Sequence, residues 1–384
     1  MKKIILRVLS YVLVALVAAS TTFVCFLFTQ KRDAGKLQEL EAILDYYFID
    51  EIDQAKIEDA AASAMVDALG DRWSYYMTAD QYLSYQDVMA NSYVGVGITV
   101  SAREDNAGID VIDVIANGPA AEAGLLVGDV LVAVDGTDII GKDINAVSTL
   151  IRGEENTKVK LTVERAGERK DFTVTRRKFE TPVATYEMLD DQIGLITIEN
   201  FDARCAQETI DAIKALREQG ATALIFDVRN NPGGYKHELV DLLDYLLPEG
   251  PLFRTEDYRG KEAVDHSDAD YLDMPMAVLV NLSSYSAAEF FAAALDEYDA
   301  AIVVGEKTFG KGYFQSTFQL SDGSAVNLSI GKYYTPNGNS LAGVGITPEV
   351  EVIVDEATAA AIAAGTMEPK DDPQIIAAIN ALKS

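Results

Sequence analysis

The chain has 384 residues and a mass of 41.6 kDa, which is enough for two or three domains. Apolar residues make up 49%, so a sizeable core can be buried. Sixty-one acidic against 32 basic residues give a net charge of −29, which argues against a nucleic-acid-binding protein. Two cysteines and two histidines exclude a disulfide framework, a four-cysteine zinc site and most histidine-rich metal sites, and we expect neither metal nor cofactor.

An apolar segment lies near the N-terminus between basic residues. Its uncharged stretch, residues 8–28, would span about 30 Å as a helix, the thickness of a bilayer core. A cleaved signal peptide is the alternative, with a small-residue site at 18–20, but apolar sequence continues through Phe28. The pattern favours an uncleaved transmembrane signal anchor over residues 1–32. We therefore expect a single-pass protein of the cell membrane with an extracytoplasmic body.

Residues 33–90 are predicted to form a helical region. Two runs of apolar residues recur with a helical period: Leu37, Leu40, Leu44 and Tyr47, then Ile57, Ala61, Met65 and Leu69. Gly70 and Asp71 are expected to end the second run. A plain helical spacer is the alternative interpretation.

Residues 91–180 change to a β pattern. Apolar residues alternate at 96–100, 159–163 and 172–174, and Gly-containing turns separate these runs. One short helix is predicted at 143–151. The pattern indicates a small β-rich domain.

Residues 181–355 alternate between strands and helices, which indicates an α/β core with a largely parallel sheet. The predicted strands are 193–199, 224–228, 276–280 and 302–304, and the predicted helices are 206–219, 237–247 and 287–297. A two-stranded element should turn at Asp322 and Gly323. Residues 356–384 are predicted to form a helical C-terminal tail. The fold class is therefore α/β, or more fully an α+β multidomain protein.

A glycine-rich turn is the first of three segments that suit chemistry. Residues 227–234 follow an apolar strand and end in Gly233 and Gly234, which let the backbone approach a ligand closely. In open α/β sheets, ligands bind at that edge. An ordinary turn before a helix is the alternative.

A serine and a lysine mark the other two segments. Ser286 stands where a strand runs into a helix, and the N–H groups of a helix N-terminus can bind an oxyanion. Lys311 lies between two glycines, and Gln315 would share its face on a strand, where an amide could hold an amine. An N-cap serine and a surface-loop lysine are the alternatives.

A serine nucleophile needs a base, and the histidines are poor candidates. Neither His237 nor His266 has an orienting carboxylate in a recognisable motif. A lysine can serve without a histidine if its amine is neutral, and burial lowers a lysine pKa. Lys311 is therefore a workable general base.

Together these segments resemble the C-terminal processing peptidases, or tail-specific proteases. Members carry a serine, a lysine 25 residues later and a glutamine four residues after that, the spacing of Ser286, Lys311 and Gln315. Residues 68–76 are similar to the family's N-terminal region, 93–97 to the carboxylate loop of its PDZ domain, and 118–129 to that domain's following helix and turn. Tyr285 departs from the usual small residue, and Ala288 replaces a frequent serine. The resemblance implies domain bounds of 91–180 for the PDZ domain and 181–355 for the protease core.

The resemblance also implies a role for each matching residue. Catalysis falls to Ser286, Lys311 and Gln315. The oxyanion hole would use the backbone N–H of Gly233 or Gly234 together with that of Ala287. Asp227 and Arg229 would fix the glycine turn, and Asp296 matches an acid interpreted as structural. The peptide carboxylate would bind at Val94, Gly95, Val96 and Gly97.

The resemblance implies a serine endopeptidase that cuts extracytoplasmic proteins near their C-termini. Its partners would be proteins with apolar C-terminal tails. The PDZ domain would bind these tails and so gate the protease. A monomer and a homodimer both stay open. The rival interpretation is a catalytically silent, membrane-tethered PDZ adaptor, which should have lost the serine, the lysine or the glutamine.

Overall fold

The computed structural model describes residues 35–103 and 107–383, in two units divided between residues 65 and 66. The first unit contains helix α1 (Lys36–Tyr47) and most of helix α2 (Gln54–Asp67). The predicted anchor at residues 1–32 lies outside the described residues. Within the described ranges, no helix combines the length and hydropathy needed to cross a membrane.

The second unit opens with a strand that the sequence pattern did not predict. Strand β1 (Tyr75–Met77) pairs antiparallel with residues 325–327, and helix α3 (Ala79–Met89) follows behind a capping box at Thr78. The prediction that 33–90 is helical throughout is therefore wrong at β1. Three residues are too short to show a period, and this strand depends on a partner some 250 residues away in the chain.

The β-rich domain has a five-stranded antiparallel path, β3-β4-β5-β7-β8, with β6 beside β5. Its elements are β2 (Ser92–Gly95), β3 (Ile98–Ala102), β4 (Ile109–Val114), α4 (Pro119–Ala123), β5 (Val130–Val134), β6 (Thr137–Asp138), α5 (Ile144–Ile151), β7 (Lys158–Arg165), β8 (Glu168–Thr175) and β9 (Arg177–Glu180). Strands β2 and β9 pair with each other at the entry and exit of the domain. Its core is a separate apolar cluster around Leu131 and Leu161.

The α/β core is built on a six-stranded sheet of order β10-β11-β12-β15-β16-β19, in which only β10 and β11 are antiparallel. Its elements are β10 (Ala184–Met188), β11 (Ile193–Ile198), α6 (Cys205–Glu218), β12 (Ala223–Asp227), α7 (Lys236–Leu246), β15 (Met276–Val280), α8 (Ala287–Glu297), β16 (Ala301–Gly305) and β19 (Val350–Glu351). Strands β11, β12, β15 and β16 and the three helices lie within a residue or two of the predicted ones, whereas β10 and β19 were not predicted. The mixed α/β multidomain class is confirmed.

A second sheet faces this core and completes the unit. It contains β13 (Gly250–Asp257), β14 (Glu262–Ser267), β17 (Tyr313–Gln319) and β18 (Ala325–Tyr334), in the order β1-β18-β13-β14 with β17 on β18. The predicted two-stranded element at 322–323 is β17–β18. The β13–β14 hairpin was not predicted, because β14 is acidic and largely exposed, so its alternation is weak.

Helix α8 is the centre of the apolar core. All nine residues from 287 to 295 are buried, including Phe290 and Phe291, so the helix is enclosed on every side. The ring of Phe291 lies 5.4 Å from that of Phe226 on β12, and Phe290 lies 4.3 Å from Phe253 on β13. Both sheets therefore pack on one helix, and its N-terminus is held in a fixed place.

The C-terminal tail is helical, as predicted, and it is joined to the core by a buried ion pair. Helices α9 (Glu356–Ala363) and α10 (Pro373–Leu382) form the tail. Arg229 donates to Asp227 at 2.5 Å and to Asp372, the N-cap of α10, at 2.8 Å. The arginine thus fixes the start of the glycine turn and also fastens the tail.

Removing this arginine should destabilise the core strongly. In Arg229→Ala, Asp227 and Asp372 keep buried charges without a partner, so we expect a loss of about 3–5 kcal/mol in the free energy of unfolding. Lys214→Ala is the matched control, because its pair with Asp211 on α6 is exposed and should change stability by less than about 1 kcal/mol. Urea unfolding of both variants measures the difference; equal losses would contradict this account.

Candidate active site

Ser286 occupies a strained turn between β15 and α8. Its φ of +59° and ψ of −122° are rare for a residue with a side chain and cost about 1–3 kcal/mol. The turn before it is fixed by Ser284, which is fully buried and whose Oγ donates to the carbonyl oxygen of Val228 at 2.7 Å. The two serines therefore differ: Ser284 is tied into the backbone, and Ser286 faces the cleft described below.

Glu289 connects this turn to the lysine loop. Its buried carboxylate accepts from the backbone N–H of Ser286 at 3.1 Å, Gly310 at 2.5 Å and Lys311 at 2.9 Å, and from the Thr308 hydroxyl at 2.7 Å. Burial raises the pKa of this carboxyl, and the four donors oppose that rise. One carboxylate thus sets the distance between the backbones of the serine and the lysine.

The glycine turn lies directly against the serine. A Cβ on Gly233 would come within 2.7 Å of Ser286 Cβ, and Gly233 has a φ of +90°, so only glycine fits. Its N–H donates to the side chain of Asn231 at 2.8 Å. Gly234 and Ala287 are then the two predicted amides whose N–H groups have no protein partner within residues 35–103 and 107–383.

Lys311 is half-buried beside the ring of Trp73. Its Nζ lies 4.5 Å from the centroid of the Trp73 ring. Burial lowers the pKa of Lys311 to about 8, against the opposing charges of Asp71 and Glu289. The flanking glycines are explained by packing, because a Cβ on Gly312 would lie 2.4 Å from Ala342 Cβ. This lysine is therefore not a solvated loop residue.

Tyr333 lies between the serine and the lysine. Its hydroxyl donates to the Lys311 carbonyl oxygen at 2.6 Å. Burial raises the pKa of the Tyr333 phenol well above its usual value, and a hydrogen bond with Ser286 opposes the rise. Among the hydrogen bonds of the described ranges, none joins Ser286 Oγ to Lys311 Nζ. The amine must move from the indole face to reach the serine.

Gln315 faces the same cleft as Lys311, but the two residues do not share a strand face as predicted. Lys311 precedes β17, which begins at Tyr313, and a bulge shifts the register between Phe314 and Gln315. The argument from a shared strand face is therefore wrong. Gln315 Nε2 donates to the Tyr313 carbonyl oxygen at 3.2 Å and to Ser329 Oγ at 3.1 Å.

One cleft of about 980 Å³ brings the predicted catalytic and oxyanion-hole residues together. It is lined by Ser286, Ala287, Lys311, Gln315, Gly233 and Gly234. Asp227 and Arg229 lie behind the glycine turn. Asp296 is exposed near the end of α8, and its neighbour Glu297 instead bonds Thr335 at 2.6 Å. Neither histidine lines the cleft.

The predicted carboxylate loop lies at a second, smaller cavity of about 220 Å³ in the β-rich domain. Gly95, Val96 and Gly97 line it, whereas Val94 lies in β2 outside the lining. Arg152 lines the same cavity and adds a positive charge beside the loop amides.

Several residues of these sites were missed in the sequence. Glu289, Asp71, Trp73 and Tyr333 contact or face the serine and lysine, and Arg152 faces the carboxylate loop. A signal existed for Glu289, since it is the one acid within the first nine residues of an otherwise apolar helix. Asp71 and Trp73 lie in the segment 68–76 that resembles the family's N-terminal region, but neither they nor Tyr333 carried a signal of contact with the lysine, because each reaches the site through long-range pairing.

Comparison with known proteins gives a consistent assignment. The model of peptidase family S41 matches residues 192–352, and a PDZ domain model matches residues 111–165. The "Probable CtpA-like serine protease" of Staphylococcus aureus (strain COL) is 33% identical over 351 residues, covering 88% of this chain and 70% of the relative. The protein of that name from Staphylococcus haemolyticus (strain JCSC1435) is 31% identical, covering 84% and 65%.

A solved structure shares the fold. A Bacteroides fragilis protein assigned to the S41 proteases has a TM-score of 0.50 at 16% identity, covering 84% of this chain and 89% of that one. The photosystem II D1 C-terminal processing protease is 27% identical, with a TM-score of 0.49 and coverages of 83% and 86%. With a serine, a half-buried lysine and a glycine turn in one cleft, this chain belongs to peptidase family S41, the C-terminal processing peptidases, and is a serine-type peptidase with a PDZ domain.

Proposed function

We propose that this protein is an endopeptidase that cuts protein substrates near their C-termini by a Ser286–Lys311–Gln315 mechanism. The observation that carries the proposal is the burial of Lys311, whose pKa falls to about 8, in the cleft that also holds the strained Ser286. A neutral amine in that position can accept a proton from a serine hydroxyl. No histidine lines the cleft to compete for the role.

In the first step, the Lys311 amine removes the proton from Ser286 Oγ as the oxygen attacks the peptide carbonyl. The carbonyl oxygen becomes an oxyanion, which the N–H groups of Gly234 and Ala287 would bind. The lysine then gives the proton to the departing amine, which leaves an acyl-enzyme. Water attacks the ester with Lys311 again acting as base, and the serine recovers its proton.

The PDZ domain supplies the preference for C-terminal tails in this proposal. A free carboxylate would bind the loop amides at Gly95–Gly97 and the nearby Arg152 guanidinium. The apolar side chains of Val96 and Ile98, with Ile151 across the cavity, suit an apolar last residue. Binding there would bring the chain to the protease cleft and gate its cleavage.

Location and assembly belong to the same proposal. The apolar stretch at 8–28 supports a membrane anchor with the protease on the extracytoplasmic side. Without residues 1–36, which carry six bases and one acid, the body holds 26 bases and 60 acids, and this net charge of −34 would keep it away from anionic lipid. A homodimer is compatible with this arrangement.

Ser286→Ala should abolish proteolysis with little effect on folding, because one oxygen is lost. We expect a fall in kcat of about 10⁴-fold or more against an unfolded protein substrate. Ser284→Ala should lower the melting temperature, because Ser284 is buried and bonded to Val228, and should keep measurable turnover. The reverse pattern in the two variants would show that the nucleophile is Ser284.

The pH dependence should follow Lys311. Its folded-state pKa of about 8 means that the amine is charged below that pH and neutral above it, so kcat should rise with pH through about 8 and then level off. Lys311→Arg should be inactive, since a guanidinium stays protonated. Initial rates between pH 6 and 10 measure this rising limb of the pH–rate profile.

Two controls separate this limb from other groups. Burial raises the pKa of Asp202, which also lines the cleft, to about 7, and Asp202→Asn should leave the limb near pH 8 in place. A His237→Ala, His266→Ala double mutant should keep its activity. Loss of activity in that double mutant, together with an active Lys311→Arg, would assign the base to a histidine.

Peptides that end in a free carboxylate should bind the PDZ domain more tightly than their C-terminal amides. The charge-assisted hydrogen bonds to the loop amides and Arg152 are worth about 1.5–3 kcal/mol, so amidation should raise Kd at least about tenfold. Titration of Ser286→Ala protein by fluorescence anisotropy measures both forms without cleavage. Equal Kd values would rule out carboxylate recognition at this loop.

A further inference from the structure

We propose that Asp71 and Ser329 are positioning residues that hold the Gln315 carboxamide in one orientation, with its carbonyl oxygen left to the Lys311 amine. The inference rests on the proposed Ser286–Lys311 mechanism and names two residues that the family spacing does not contain. The evidence for it is which groups donate and which accept in the hydrogen bonds around Gln315.

Both hydrogens of the Gln315 amide nitrogen are already used. Nε2 donates to the Tyr313 carbonyl oxygen at 3.2 Å and to Ser329 Oγ at 3.1 Å. A backbone carbonyl can only accept, so a flipped amide would place two acceptor oxygens against each other. The flipped orientation is therefore disfavoured, and Oε1 is the group that has no donor among the described residues.

The Ser329 hydroxyl could in principle donate or accept, and Asp71 decides which. Burial alone would raise the pKa of Asp71, but hydrogen bonds from Ser74, Ser329 and Trp73 bring it below its usual value. The carboxylate that results can only accept. The Ser329 proton therefore points to Asp71, and the Ser329 oxygen keeps its lone pairs for Gln315.

The turn that carries Asp71 is fastened to the strand that carries Ser329. Ser74 Oγ donates to Asp71 at 2.6 Å and accepts from the Ser329 backbone N–H at 3.0 Å. Asn327, two residues earlier on β18, donates to the Trp73 carbonyl oxygen at 3.1 Å. The hydrogen-bond chain is thus built on paired strands and does not depend on a mobile loop.

The same turn contacts the base. Trp73 presents its ring to Lys311 Nζ at 4.5 Å, the charge of Asp71 acts on the same amine, and Gln315 lines the same cleft as Lys311. A neutral amine has one lone pair for the serine proton and two N–H bonds to place. If Gln315 Oε1 accepts one of these N–H bonds, the lone pair is directed toward Ser286.

A double-mutant cycle in the full chain tests the inference. Ser329→Ala should lower kcat about fivefold to tenfold, the value of one hydrogen bond, with KM changed less than about twofold. Gln315→Ala should lower kcat at least as much, and the double variant should be no slower than Gln315→Ala alone, because Ser329 acts only through Gln315. Ser329→Thr keeps the hydroxyl and should restore kcat.

Asp71→Asn provides a second cycle if Ser329→Ala proves unstable by thermal unfolding. An amide there can donate to Ser329 and so reverse the direction of the hydrogen bonds. The kcat measured above pH 9 should therefore fall, and in the Gln315→Ala background the same substitution should lower kcat no further. Two results would overturn the inference and leave the proposed mechanism intact. One is a double variant whose loss in kcat equals the product of the two single losses, in either cycle; the other is a Ser329→Ala variant with wild-type kcat. Activity that survives Ser286→Ala would overturn both.

Discussion

The site depends on keeping the Lys311 amine neutral although the charges of Asp71 and Glu289 raise its pKa. Burial of Lys311 favours the uncharged form, whereas Asp71, Glu289 and the Trp73 ring favour the ammonium. The result is a pKa of about 8, where an exposed lysine would stay near 10.4. The acids are needed for geometry, so the protein keeps them and relies on desolvation to offset their charge.

Glu289 shows why the acids cannot simply be removed. It lies in the first turn of α8, within a stretch of nine residues that is otherwise apolar, and it joins the backbones of Ser286, Gly310 and Lys311. Without it, three partly buried N–H groups would lose their acceptor and the strained serine would lose a restraint. The nucleophile and the base are thus held through the backbone, which leaves the lysine side chain free to move between Trp73 and Ser286.

The sequence predicted the α/β core well, because α8 and β15 are long, strongly apolar and locally encoded. The serine–lysine–glutamine set was taken from the family resemblance, and the strand argument for Gln315 failed at a bulge that no local pattern reveals. Strand β1 and Asp71 were beyond reach, because their roles arise only when residues 71–77 meet β18. Asp296 was chosen by its distance along the chain, and the neighbouring Glu297 makes the contacts instead. Local pattern therefore predicts elements, while pairing across the chain decides which polar side chains meet.

The most direct test of the account is the titration of the Lys311 amine itself. In Ser286→Ala protein with isotope-labelled lysine, the Lys311 side-chain NMR signal, assigned by its loss in a Ser286→Ala, Lys311→Arg double variant, can be followed between pH 6 and 11. The account predicts a midpoint near 8, well below the other lysines. A midpoint near 10.4 would mean that the amine is charged at neutral pH and is not the base.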